Sequence, residues 1–282
     1  MLHDQQDYFK LLNKTFMNVK NLEFLKEGLK YLGFGDKLNA DLEGKIKEQP
    51  LEFKLNLVGE FNKDNFKDRV NYTLDFKKSD QTDMYFLNRY LATLKNEDPK
   101  QDKSQTFYIT KNSGVTAKEA YNLLSGRAVN KDLTNKEGQP YNAWLQLDFQ
   151  EKDKNDNYKV KQYHQGYGYD LEMVMSKYPI KEQLNPDDKT KVMKSLEKGN
   201  LTQVTFAKEG GEDKMFIAAN PQYKTLDLYN AKLEKQYQGI EKKEKQGEDK
   251  SQEKKETQKQ DVEDEGEAKK GKKSSKRKGI GV

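Results

Sequence analysis

Cysteine is absent from all 282 residues, which excludes disulfides, thiolate nucleophiles and zinc sites of the cysteine type and suits a reducing compartment. Histidine occurs only as His3 and His164, so a two-histidine metal face or a histidine-based triad has almost no material. Arginine is nearly as scarce. Arg69, Arg89, Arg127 and Arg277 stand against 48 lysines, and arginine is the residue that grips guanine edges bidentately, so any nucleic-acid contact should be mostly phosphate-directed. A lysine-favouring coding bias would leave the same trace. No stretch approaches the roughly 18 apolar residues of a membrane span. The opening MLHDQQDYFK lacks the basic and then apolar order of a signal peptide. A cytoplasmic protein with no membrane partner is the expectation.

What is abundant is charge. The chain is 35% charged and 33% hydrophobic, low for one that packs throughout, so part of it is expected to be disordered. That part is the end, about 236–282, which has no aromatic residue after Tyr237. There DVEDEGE at 261–267 precedes KKGKKSSKRK at 269–278, where Lys269, Lys270, Lys272, Lys273, Lys276, Arg277 and Lys278 form a cationic block able to meet phosphate. A solubilising tail reads equally well from the same residues. Deleting residues 240–282 is expected to change the stability of the rest by less than about 1 kcal/mol, read by thermal unfolding.

Ahead of the tail the pattern is α+β, with short helices packed on antiparallel sheets. Phe9, Leu12 and Phe16, then Leu22, Leu25, Leu29 and Leu32, fall at helical spacing that Gly33 and Gly35 end. Leu38, Leu42 and Ile46 fit a second helix, followed by strands through Phe53–Leu57, Val70–Phe76 and Met84–Leu94, the last bent at Asn88. Thr116 and Glu119 make a capping box for a helix that Gly126 closes. A strand through Leu145, a turn at KDKNDN and a return strand Tyr158–His164 follow as a hairpin. Leu171, Val174, Met175 and Tyr178 line another helix, and Asn185 with Pro186 opens one that Gly199 ends. Three strands, at 201–206, 214–218 and 225–229, complete the body. The division expected is a helical segment at 1–35, α+β units at 36–112 and 113–235, and the tail. Met84–Leu94 also echoes Met215–Leu226 with one residue inserted, which either a diverged tandem duplication of a helix plus three-strand unit or chance would produce.

The strings VTAKEAYNLLSGRAVNKDLTNKEGQPYNAWLQLDF, KQYHQGYGYDLE and FIAANPQYKTLDLYN resemble a domain-of-unknown-function family abundant in Bacteroidota and their conjugative elements, sometimes adjacent or fused to type IA DNA topoisomerase. The likeness is close over 113–230 and looser over 20–112. It implies no catalytic residue or cofactor; it suggests a protein of a mobile element, set beside DNA metabolism by context.

Partial motifs add little chemistry. Asp153, Asn155 and Asn157 mimic the start of a calcium loop, but Tyr158 stands where its glycine belongs and His164 where its glutamate does, so a polar turn is expected. Gly33-Phe34-Gly35 and Gly166-Tyr167-Gly168 lack the rest of a phosphate loop. The one constellation with a binding logic is Trp144 with Lys159, Lys161, Tyr163, His164, Tyr167 and Tyr169, where rings could stack on bases and lysines neutralise phosphates. A lone Trp is more often packing, beneath the helix at 116–125 or at 169–178, and that reading is the preferred one for Trp144. Arg127 follows a helix end and either meets phosphate or serves carbonyls. The expectation is a non-enzymatic nucleic-acid-binding accessory of a mobile element, single strands favoured. The alternative is a protein-interaction module that binds a protein partner of the element.

Overall fold

Helix α1, Val19–Tyr31, begins where the Asn18 side chain accepts the Asn21 N–H at 2.9 Å. It ends at Gly33, whose φ of +83° a side chain would strain. Leu22, Leu25, Leu29 and Leu32 face inward as their spacing requires. The computed structural model describes residues 18–63, 66–109 and 114–236, all within one compact unit. Phe9, Leu12, Phe16 and the whole cationic block 269–278 lie outside the described residues. After α2, Asn39–Glu48, the strands β1 (Glu52–Lys63), β2 (Phe66–Lys78), β3 (Tyr85–Leu94) and β4 (Lys103–Tyr108) pair antiparallel in sequence order. The bend at Asn88 is a bulge: Arg89 pairs with Asp75 and Leu87 with Phe76, leaving Asn88 as the extra residue.

Helix α3, Ala117–Leu124, carries the capping box, with Thr116 accepting from the Glu119 N–H and Glu119 accepting from the Thr116 N–H at 2.8 Å. A second sheet orders β5 (Val129–Thr134), β6 (Pro140–Lys152) and β7 (Tyr158–His164). Helices α4, Leu171–Met175, and α5, Pro186–Glu197, precede a third sheet of β8 (Thr202–Lys208), β9 (Gly211–Asn220), β10 (Thr225–Tyr229) and β11 (Lys235–Gln236). Helix α4 is shorter than its apolar stripe suggested. Tyr178 sits on the turn after it and donates or accepts at Thr225 Oγ1 over 2.7 Å. Among the described residues no helix is long and apolar enough to cross a membrane.

Two apolar clusters hold the body together. The first joins α1, α2 and sheet one to Ala120, Leu123, Leu124, Val129, Leu145 and Leu147, so it runs across the division expected at 112/113. The second collects Trp144, Tyr163, Val174, Met175, Leu196, Phe206 and Ile217. Sheet β5-β6-β7 therefore has a core on each face: Leu145 and Leu147 serve one, Trp144 and Tyr163 the other.

A helix followed by an antiparallel four-strand meander does occur twice, as α2 with β1–β4 and as α5 with β8–β11. The residue correspondence of the sequence echo is not kept. It lays third strand β3 against second strand β9, and it equates Tyr90, fully buried at 0%, with Tyr223, 71% exposed on a turn. Aromatic and apolar residues recur on any strand that buries one face, which is sufficient to produce such a frame.

Candidate functional site

Trp144 does not offer a face to a ligand. It is 7% exposed and meets Tyr169 edge-on, with ring centroids 5.4 Å apart at 81°. Its cross-strand partner Tyr163 is 8% exposed, and burial pushes that phenol's pKa up. The alternation of β6 sets Trp144 on the face opposite Leu145 and Leu147, and that face is covered by α4 and the third sheet rather than by water. The packing reading of Trp144 is therefore the right one, and Trp144 and Tyr163 as stacking platforms are corrected.

Arg127 is also structural. Its Nε donates to the Gly199 carbonyl at 2.8 Å and its Nη2 to Asn122 Oδ1 at 2.6 Å, while Asn122 Nδ2 reaches the Lys198 carbonyl at 2.6 Å. The arginine thus serves the Gly199 carbonyl just past the end of α5, a helix distant in sequence, and ties α3 to it. Two of its guanidinium nitrogens, Nε and Nη2, are thereby engaged within the molecule. Lys159 pairs with Glu151 and Lys161 with Asp148 at 2.8 Å, which leaves little unbalanced charge on β7. The Asp153 side chain accepts the N–H groups of Asn155 and Asn157, so the calcium-like segment is a polar turn. Asn157 itself is buried, accepting the Thr106 N–H at 2.8 Å and fastening the hairpin tip to edge strand β4. Among the described residues no group of three or more His, Asp or Glu side chains could hold a metal ion.

What remains is an outer aromatic layer resting on the buried one. Tyr167, 40% exposed, lies 4.9 Å from Tyr163 and donates its hydroxyl to the Gln222 carbonyl at 2.9 Å. That bond joins the segment after β7 to the β9–β10 loop, where Asn220 and Pro221 set a tight turn. Asn220 Oδ1 accepts the Tyr223 N–H at 3.3 Å, and Lys224 takes a left-handed φ of 52°. The turn projects Tyr223 outward and lays the Lys224 ammonium over the Tyr167 ring, 4.6 Å from its centroid. Gly168, at φ +78°, carries the backbone past that ammonium. On the opposite side of β7, exposed His164 lies 5.3 Å from the Tyr141 ring.

The structure thus brings Tyr163 and Tyr167 together at the end of β7, sets His164 on the other side of that strand, leaves Trp144 buried and Arg127 half-buried, and adds Tyr223 and Lys224. Sequence reading missed those two because they lie far along the chain from the hairpin, in a segment that reads only as a turn. The segments KQYHQGYGYDLE and FIAANPQYKTLDLYN converge here, through the Tyr167 hydroxyl bond to the Gln222 carbonyl. In comparisons with known proteins, the chain matches no family model, no curated protein and no solved structure.

Proposed function

We propose that the protein is a non-enzymatic accessory that binds single-stranded nucleic acid, with Tyr167 and Tyr223 as the stacking surface. The observation that carries this reading is the Lys224 ammonium held over Tyr167 beside the outward Tyr223, a ring, cation and ring in one exposed patch. A base can stack on the outward Tyr223 ring irrespective of sequence, and on Tyr167 once the Lys224 ammonium swings from its face to meet the backbone. The cationic block Lys269–Lys278 would add phosphate contacts of no sequence preference, with affinity falling steeply as salt rises. The resemblance over 113–230 supports a mobile-element setting, and a cytoplasmic location belongs to the same proposal. The alternative reading, a protein-interaction module, draws on the exposed apolar stripe of α1.

The test is fluorescence anisotropy with full-length protein and single- or double-stranded oligonucleotides at low and physiological salt. Tyr167→Ala and Tyr223→Ala should each weaken single-strand binding by about 1 to 3 kcal/mol. Lys224→Ala should reduce the salt slope by about one. Absence of any binding at low salt would discard the reading in favour of the alternative.

A further inference from the structure

Helix α1 has two apolar stripes, and only one is buried among the described residues. Leu22, Leu25, Leu29 and Leu32 fill the core, whereas Phe24 and Tyr31 are 63% and 84% exposed and share a second face with Gly28. That face forms one wall of a cleft of about 1170 Å³, whose opposite side includes Phe86, Leu87 and Ile109. Gly28 sits mid-helix, where glycine costs about 1 kcal/mol relative to alanine. Among the described residues nothing accounts for it, since a Cβ there would meet no atom within 4 Å. A glycine flanked by exposed rings on one helix face suits close approach of another helix.

We propose that this face binds the same face of a second copy, two α1 helices crossing antiparallel about a two-fold axis near Gly28. The charges favour a second copy over another occupant. Glu27 and Lys30 flank the stripe on its solvent side, both exposed and without an ion-pair partner among the described residues. An antiparallel two-fold relation centred between residues 28 and 29 sets Glu27 of each copy against Lys30 of the other. It also brings Phe24 of each toward Tyr31 of the other. A self-complementary patch of this kind is what a two-fold dimer requires.

Light scattering and sedimentation of the full chain test this independently of nucleic acid. The wild-type protein is expected to be a dimer. Tyr31→Glu and Gly28→Leu, both at open positions and so expected to leave the circular-dichroism spectrum unchanged, should give monomer at the same concentration. Glu27→Lys and Lys30→Glu should each weaken the dimer about tenfold or more, because each sets like charges opposite one another. Mixing those two variants in equal amounts should restore it, since opposite charges then face each other at both contacts of the mixed dimer. A wild-type monomer across the accessible concentration range would overturn the proposal. So would a dimer indifferent to Tyr31→Glu, or a mixture that stays monomeric.

Discussion

Gly199→Ala is expected to destabilise the protein by about 3 kcal/mol or more, well beyond an ordinary surface substitution. Gly199 closes α5 with its N–H on the Leu196 carbonyl at 2.8 Å and a φ of +75°. A Cβ at this position would lie 2.7 Å from the Ala128 carbonyl oxygen and 2.9 Å from Val129 Cγ2. A carbonyl at the start of β5 cannot swing aside like the end of a flexible side chain. Moving it would disturb the Arg127 and Asn122 bonds that join α3 to the end of α5. Gly126 is the matched control, because it ends α3 with φ +85° but would bring its Cβ only to ordinary contact, 3.5 Å from Phe149. Gly126→Ala should therefore show the left-handed penalty alone, about 1 to 2 kcal/mol. Urea unfolding of both variants checks the difference. Equal losses would show that the approach of α5 to β5 is looser than these distances imply.

Trp144→Ala should cost about 3 to 5 kcal/mol of stability, the range for removing a large aromatic from a core. The ring fills the space between β6 and Tyr169, which is itself buried with its hydroxyl toward the Thr225 carbonyl. Burial also pushes the Tyr169 phenol's pKa up, as expected for a group shut off from water. Thermal unfolding measures the loss, and oligonucleotide affinity measured below the shifted transition should stay close to wild type, since the ring presents no free face. A variant of near-native stability that loses binding would instead make Trp144 a platform, against its burial.

Local punctuation made much of this fold legible. Thr116 with Glu119, Asn185 with Pro186, and the glycines at 33, 126 and 199 each satisfy or release backbone groups at a helix end, and such needs are written in adjacent residues. The bend at Asn88 was legible for a similar reason, as a polar break in an apolar run. Strands β4 and β5, KSQTFY and VNKDLT, passed unseen because they are held by pairing with neighbours rather than by an alternating apolar face. The burial of Trp144 followed the same limit. Period two tells which side of β6 the ring takes, whereas the cover on that side comes from α4 and the third sheet. The candidate site is a convergence of two loops, and Tyr223 gains its meaning only from the Tyr167 hydroxyl bond to Gln222.

The most direct test of the stacking surface is the single- to double-strand affinity ratio of the full-length protein at physiological salt, compared with that of the Tyr167→Ala/Tyr223→Ala double variant. Wild-type protein should prefer single strands, and the double variant should lose that preference while keeping whatever salt-sensitive binding the cationic block supplies. An unchanged preference in the double variant, or no preference in the wild type, would contradict the assignment of Tyr167, Tyr223 and Lys224 as a nucleic-acid surface.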